Sequence, residues 1–140
     1  MSFCALSRMI QSPLIRQFLK FGIVGGLGFV VDTALTYFGI YALSMERIPA
    51  GFFAFPFAVT FTWIGNRLYT FADKPREPMA KQWGKFAAVC GVGIVFNRGT
   101  YSLLVSTVPL VYAHPVLGLL AGSCAGLFFN FFASRKIVFK

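Results

Sequence analysis

Two charged side chains lie deep within long apolar stretches of the sequence. Asp32 follows Lys20 by twelve residues, and Arg98 follows Lys85 by thirteen. At helical rise each therefore lies roughly 18 to 20 Å into its stretch. In a membrane, a charge at that depth costs about 3 kcal/mol and persists only in a bundle interior, beside a partner or in a polar path. A pair between Asp32 and Arg98, with Asn97 beside it, is therefore either a structural link or the lining of a polar route.

Arg67 and Arg135 occupy matching places at the ends of two apolar stretches. Each is followed four residues later by a phenylalanine, Phe71 or Phe139. A guanidinium is a planar fork that binds phosphate oxygens in pairs, so the two arginines, with lysines at the same end of the other stretches, would form a cationic phosphate site. The alternative is that they are ordinary anchors at the headgroup level. Polar residues that recur nearby favour the phosphate site: Asn66, Asn130 and Ser134.

The remaining reactive side chains form no catalytic or metal-binding pattern. Cys4, Cys90 and Cys124 lie in apolar or terminal stretches without CxxC or Cys/His spacing, and no Ser/His/Asp or paired-carboxylate arrangement emerges. We therefore expect no metal, no cofactor and no enzymatic activity. The formal charge of +9 is typical of nucleic-acid binding, but the basic residues stand at the ends of apolar runs, where anionic headgroups attract them. We therefore expect no nucleic acid partner.

Lipid must surround the segments that position these residues. Of the 140 residues, 57% are hydrophobic and 12% are charged, and the apolar runs are too long for a soluble core. A bilayer core roughly 30 Å thick takes about twenty helical residues. Four segments fit this length, at about residues 18–43, 51–70, 84–105 and 116–133. We predict one all-α integral membrane domain over residues 1–140, with an interfacial helix over 1–17 that Pro13 breaks or bends.

The basic residues lie almost entirely at one end of the four segments. Arg47 stands alone at the opposite end, and Arg98 is within a segment. The other eleven of the thirteen share the end that carries both termini: Arg8, Arg16, Lys20, Arg67, Lys74, Arg76, Lys81, Lys85, Arg135, Lys136 and Lys140. Cytoplasmic loops carry such an excess, so we predict that both termini and the middle loop are cytoplasmic. Trp63, Tyr69 and Trp83 near this end are expected to be aromatic-belt anchors.

The chain also contains an internal repeat. QFLKFGIVGGLGFVVDT, from Gln17, aligns with QWGKFAAVCGVGIVFNR, from Gln82, and NRLYTF at 66–71 aligns with SRKIVF at 134–139. Each repeat contains two spans, so both copies enter the membrane from the same side. We predict two parallel two-helix hairpins in a pseudo-twofold four-helix bundle. Stripes of small residues are expected to let the helices pack closely: Gly22, Gly26, Gly118, Gly122 and Gly126.

Taken together, these stretches resemble the GtrA-like family of small four-helix membrane proteins, which serve bacterial pathways for polysaccharides and cell-wall sugars. The resemblance extends from about Arg16 to Lys140, and as a set its pattern is fairly specific. Four stretches carry it: RQFLKFGIVGGLGFVVDTALTY, FTWIGNRLYTF, QWGKFAAVCGVGIVFNRGTYSLL and NFFASRKIVF.

The resemblance implies translocation of a polyprenyl-phosphate-linked monosaccharide, such as undecaprenyl-phosphate glucose, across the bacterial cytoplasmic (inner) membrane. Membrane glycosyltransferases would load and unload the sugar, and a homo-oligomer is one way for so small a bundle to enclose a path. Ser134, where the first repeat has Asn66, makes the two halves unequal. The positions that match the polar residues of the family imply substrate contacts: Asp32, Asn66, Arg67, Asn97, Arg98, Asn130 and Arg135.

Two other functions are compatible with four helices. A non-transporting subunit that stabilises or positions a membrane glycosyltransferase needs only the packing stripes and the anchors. A small multidrug exporter also has four helices with a carboxylate in the first, but such proteins often insert in both orientations with balanced basic residues. The one-sided charge of this chain argues against an exporter.

Overall fold

The computed structural model describes residues 7, 8 and 10–140. The chain forms two compact units, one ending at Lys74 and the other from Pro75 to Lys140, and each contains one helical hairpin. The first hairpin consists of α1 (Pro13–Tyr41), α2 (Arg47–Gly65) and a π-helical turn, π1 (Asn66–Thr70). The second consists of α3 (Met79–Thr107), the short α4 (Pro109–Ala113), α5 (Pro115–Ala133) and a second π-helical turn, π2 (Ser134–Val138).

Four helical segments are long and apolar enough to cross a membrane: Pro13–Tyr41, Arg47–Thr70, Met79–Thr107 and Val116–Val138. The predicted all-α fold with four spans is therefore confirmed. The helices are longer than the predicted apolar spans, because backbone hydrogen bonds continue a helix past the point where its side chains leave the lipid. The cytoplasmic placement of both termini and the parallel arrangement of the two hairpins stay predictions.

Proline stands where three of the four long helices begin. Pro13 and Pro115 open α1 and α5, and Pro78 directly precedes Met79 at the start of α3. A first-turn proline lacks only an N–H that has no partner within the helix, and its φ already suits a helix. Pro13 therefore begins α1. Ser12, directly before it, is extended (φ −62°, ψ 128°) and separates α1 from the helical residues at 7, 8 and 10, so the predicted break at Pro13 is confirmed. The rest of the predicted interfacial helix, with Cys4, falls largely on residues 1–6 and 9, which lie outside the described residues.

Small side chains let α1 and α2 approach each other in the first hairpin. The packed face of α1 carries Phe21, Val24 and Gly28, which are buried. A β-carbon added to Gly28 would collide with the Thr62 side chain, so this position accepts only glycine without a local shift. The face of α2 that meets α1 is built from buried alanines: Ala50, Ala54 and Ala58.

The predicted glycine stripes divide into one that packs and one that does not. On α5, a β-carbon added to Gly118, Gly122 or Gly126 would lie 2.5 to 3.3 Å from the nearest atom of its neighbours, so this stripe faces a helix as predicted. On α1, a β-carbon added to Gly22 or Gly26 has no atom of the first hairpin within 4 Å. Gly22 and Gly26 therefore do not pack within this hairpin, because α2 meets a different face of α1, and their predicted role in packing the bundle stays a prediction.

Both hairpins end in the same local arrangement. In the first, the rings of Phe21 and Phe71 meet edge to face with centroids 6.4 Å apart. In the second, Phe86 and Phe139 meet in the same way at 6.1 Å, with the same interplanar angle of 65°. All four positions correspond in the sequence repeat, and both pairs lie beside a π-helical turn. The repeated sequence therefore folds into a repeated tertiary contact within each hairpin.

The outward faces of the helices are apolar. Phe29 and Phe52 in the first hairpin and Val95 in the second are among the most exposed side chains, which is the pattern expected for lipid contact. Trp63 is the exception among the predicted belt residues. It is buried inside the first hairpin, 4% exposed, and the prediction that it is an interfacial anchor is wrong.

Candidate functional site

Two asparagines lie in the interface between α3 and α5. A β-carbon added to Gly93 would overlap the Asn130 amide, so Asn130 packs directly on the α3 backbone. A β-carbon added to Gly122 would lie 2.5 Å from the backbone oxygen of Asn97, and one at Gly126 would lie 3.8 Å from its Nδ2. The Asn130 Oδ1 is buried and has no hydrogen-bond partner among the described residues. A buried oxygen without a donor is costly, and a hydroxyl donor would satisfy it.

The first hairpin has a polar pair at the equivalent places. By the repeat, Asp32 corresponds to Asn97 and Thr62 to Asn130. Thr62 packs on Gly28, and its hydroxyl is 3.0 Å from two backbone oxygens one turn earlier. Asp32 is half-buried and lies one helical turn beyond Gly28. We call Asp32, Thr62, Asn97 and Asn130 the inner polar layer, because they occupy equivalent positions of the repeat, two in each hairpin.

Arg98 does not share the environment of its neighbour. Asn97 faces α5, and Arg98, one residue and about 100° farther around the helix, is exposed on the second hairpin. It therefore does not line the α3–α5 interface. A pair between Arg98 and Asp32 would join the two hairpins and stays a prediction.

The π-helical turns shape the end of each hairpin. The Phe71 N–H donates to the Asn66 oxygen and the Phe139 N–H to the Ser134 oxygen, both at 2.8 Å, which makes each turn one residue wider than an α-helical turn. Such turns occur often at functional sites. The two turns differ inside, because Thr70 Oγ1 donates to the buried Asn66 Oδ1 at 2.7 Å.

In the second hairpin that internal hydrogen bond has no counterpart. Val138 stands where the first hairpin has Thr70, and the buried Ser134 Oγ has no partner in the part of the chain that the structure describes. Asn66 therefore has a structural role in the first turn, and its predicted contact with a substrate stays a prediction. The predicted inequality of the two halves is visible at this position.

Each π-helical turn carries one arginine of the predicted phosphate site. The Arg67 guanidinium lies over the Trp63 ring, with its carbon 5.5 Å from the ring centroid. Both Arg67 and Arg135 are half-buried, so each is held near the hairpin surface and keeps an accessible face. Chemically, each can offer two parallel N–H donors to a phosphate.

Two glutamines that open the repeats were not predicted to matter, although the repeat aligns them. Gln82 is buried, 1% exposed, and its Nε2 donates to the backbone oxygen of Val138 at 3.4 Å. Gln17 is half-buried, and its Oε1 is buried without a partner among the described residues. Recurrence of a polar residue near the start of two apolar helices is the signal that could have identified both.

An ion pair at the start of α3 was also missed. Lys85 Nζ lies 3.0 and 2.9 Å from the two carboxylate oxygens of Glu77. The hydrogen bond from Lys85 holds the pKa of Glu77 below its ordinary value, and the charges of Lys81 and Lys140 act in the same direction. The residues are eight apart with the helix start between them, so no regular helical spacing predicts the contact.

The described residues also show where metal-ligating side chains lie. No three His, Cys, Asp or Glu side chains within residues 7, 8 and 10–140 come together as a metal site. Cys90 is half-buried on α3 and Cys124 is exposed on α5, and neither contacts the inner polar layer by any described interaction.

A family model described as GtrA/DPMS, transmembrane domain, matches residues 20–139, a range that contains the inner polar layer and both π-helical turns. A search of curated proteins finds no match. The matching family is associated with the translocation or handling of polyprenyl-phosphate sugars. Because the match covers most of the chain and its four apolar spans, this multi-pass membrane protein belongs to the GtrA/DPMS transmembrane-domain family.

Proposed function

We propose that this protein translocates a polyprenyl-phosphate-linked monosaccharide across the cytoplasmic membrane of a bacterium. The observation that carries the proposal is the inner polar layer, above all the buried Asn130 Oδ1 without a partner. An isolated polar atom in a lipid-facing bundle is expected only where something polar visits it. A sugar ring supplies hydroxyl donors, and amide and carboxylate oxygens accept hydrogen bonds from them.

The roles of the residues follow from their depth. Arg67 and Arg135, in the π-helical turns, bind the phosphate at the membrane surface, with Asn66 shaping the first turn. Asp32, Asn97, Asn130 and Arg98 offer a polar route to the sugar. The isoprenoid tail stays in the lipid, beside the apolar outer faces of the helices. Glycines against α3 allow α5 to slide without removing a large side chain from its packing.

The protein would act after one enzyme and before another, and would not be an enzyme itself. Membrane glycosyltransferases would load the lipid-linked sugar on one side and use it on the other, as part of polysaccharide or cell-wall glycosylation. No cofactor enters this process. A second copy of the chain would contribute to enclosing the path.

The test is movement of a short-chain polyprenyl-phosphate glucose across vesicles that contain the purified protein. We expect transfer well above that of empty vesicles. Arg67→Gln or Arg135→Gln should reduce it roughly ten- to hundredfold, since each charge-assisted phosphate contact is worth about 1.5–3 kcal/mol. Lys136→Gln is the matched control, because Lys136 is an exposed neighbour of Arg135, and it should leave the rate unchanged. A rate equal to that of empty vesicles, with and without a transferase present, would contradict translocation.

A non-transporting subunit is the second candidate, and the wide exposed apolar faces favour it, because they offer a partner helix a surface as readily as they offer lipid one. Its signature is co-purification with a membrane glycosyltransferase together with normal sugar export by an Arg98→Ala variant. Reduced sugar export by the Arg98→Ala variant, without loss of folded protein, would support translocation instead.

A further inference from the structure

An open pocket of about 270 Å³ lies within the first hairpin, between the start of α1 and the segment that follows α2. It is smaller than the ~300–1,000 Å³ pockets that take drug-sized ligands, so it suits a headgroup. The polar side chains that line it are Arg16, Gln17, Lys20, Tyr69, Thr70 and Asp73.

The two cations of the pocket are not neutralised by its carboxylate. Lys20 Nζ lies 4.8 Å from the centroid of the Tyr69 ring, which orients it without neutralising it. Arg16 is exposed. Asp73 is the carboxylate in the lining, and the described residues show no ion pair between it and either cation. The pocket therefore combines two cations for an anion with acceptors, Asp73 and the partnerless Gln17 Oε1, for hydroxyl groups.

In the second hairpin, the residues at the equivalent positions have partners within the protein. Lys85 corresponds to Lys20, but Glu77 holds it through both carboxylate oxygens, at 2.9 and 3.0 Å. Gln82 corresponds to Gln17, but its amide is bonded to the backbone of π2. Ile137 stands where the first hairpin has Tyr69. The Glu77 carboxylate thus binds Lys85 in the second hairpin. At the equivalent position of the first hairpin, an external anion would bind Lys20.

We propose that the pocket of the first hairpin is a surface docking site for the phosphate of the lipid-linked sugar, and that Glu77 occupies the equivalent position in the second hairpin. Arg16 and Lys20 bind the phosphate when the substrate arrives, before it passes to Arg67 and Arg135, and Gln17 and Asp73 accept from hydroxyls of the sugar. The inference rests on the proposed function for the identity of the ligand. It adds that one chain docks one substrate, on its first hairpin.

The test measures binding of a short-chain polyprenyl-phosphate glucose to the full-length protein in nanodiscs of phosphatidylcholine. Lys20→Gln and Lys85→Gln form the matched pair, since the lysines are equivalent in the repeat. We expect Lys20→Gln to weaken binding by about tenfold, a loss of one charge-assisted contact, and Lys85→Gln to change it by less than twofold. Equal losses in the two variants would overturn the proposal. Tyr69→Ile, which copies the second hairpin, is the second variant if Lys20→Gln does not fold, and it should also weaken binding.

Glu77→Gln tests the second half of the proposal. It removes the internal anion from Lys85, so the number of ligands bound per chain should rise from one towards two, whereas a value that stays at one would overturn the role of Glu77. Competition separates sources of phosphate. Inorganic phosphate and phosphatidylglycerol should not displace the ligand, and displacement by either at equal concentration would overturn the assignment to a sugar phosphate.

The two proposals fail in different ways. Binding that depends on Lys20 but no transfer across vesicles would contradict translocation and leave the docking site in place. Transfer that is unaffected by Lys20→Gln, with binding equally unaffected, would contradict the docking site and leave translocation in place.

Discussion

Buried polar atoms without a donor distinguish the second hairpin from an ordinary membrane helix pair. Asn130 Oδ1 and Ser134 Oγ, four residues apart on α5 and π2, both lack a partner among the described residues. The first hairpin satisfies the equivalent places internally, because the hydroxyl of Thr62 bonds its own backbone and Thr70 bonds Asn66. The second hairpin thus keeps two buried oxygens without a donor among the described residues, and the first keeps a carboxylate at Asp32.

The substitution Asn130→Thr removes the amide that would bind the sugar but is expected to keep the packing of the hairpin. Thr62 shows that threonine fits against the equivalent glycine, so we expect stability within about 0.5 kcal/mol of the parent. If the amide accepts from the sugar, transfer should fall roughly tenfold, the effect of losing about 1.4 kcal/mol of binding. The measurements are thermal unfolding in detergent and transfer across vesicles. Unchanged transfer would remove Asn130 from the sugar route.

Helix pairs in this protein are held by backbone proximity. Lipid is as apolar as the helix surfaces, so close packing and not hydrophobic burial drives their association. Glycines on α5 and alanines on α2 provide that proximity in the two hairpins. The π-helical turns then widen the last turn of each pair and bring Phe71 or Phe139 onto the opposite helix.

Gly122→Ala should weaken the second helix pair. The new β-carbon would lie 2.5 Å from the Asn97 backbone oxygen, and a backbone atom cannot move aside as a flexible side chain can. We expect a loss of about 1–3 kcal/mol in the free energy of unfolding, measured by denaturation in mixed detergent. Gly91→Ala on α3 is the control, because a β-carbon there has no atom within 4 Å, and it should stay within about 0.5 kcal/mol. Equal stability of both variants would show that α5 does not pack as described.

The protein as a whole presents apolar surface along four spans and basic residues at their ends. The excess of positive charge predicts that the termini and the loop between the hairpins face the cytoplasm. Because each hairpin would begin and end at the same side of the membrane, this orientation would place the pocket of the first hairpin and both π-helical turns at the cytoplasmic surface, where we propose that the sugar is loaded.

Cysteine labelling tests that orientation in a variant with Cys4, Cys90 and Cys124 replaced by alanine. His114→Cys, in the exposed link before α5, should react with a membrane-impermeant maleimide in intact cells. Arg76→Cys, in the exposed loop between the hairpins, should react only after the cells are permeabilised. Labelling of position 76 in intact cells would reverse the topology and place the docking pocket on the wrong face for loading.

The sequence alone was sufficient for features that depend on composition and local pattern. Runs of apolar residues longer than about twenty must be spans, because lipid leaves no other partner for the backbone. The repeat predicted the equivalence of Phe71 with Phe139, and the glycine spacing on α5 predicted its packed face. Asp32, Asn97 and Asn130 were identified because polar residues in an apolar run are conspicuous.

Only the tertiary structure decided which glycines pack against a helix and which polar side chains bind other groups of the protein. α1 carries glycines on several faces, and the choice of Gly28 over Gly22 depends on which face α2 meets. The partner of Gln82 is 56 residues away in the chain, and Glu77 reaches Lys85 across a helix start. Hydrogen bonds and ion pairs form between groups that are near in space, and distance along the chain does not set that nearness. For that reason the sequence located the polar residues, whereas the folded hairpins showed which of them are hydrogen-bonded or ion-paired within the protein.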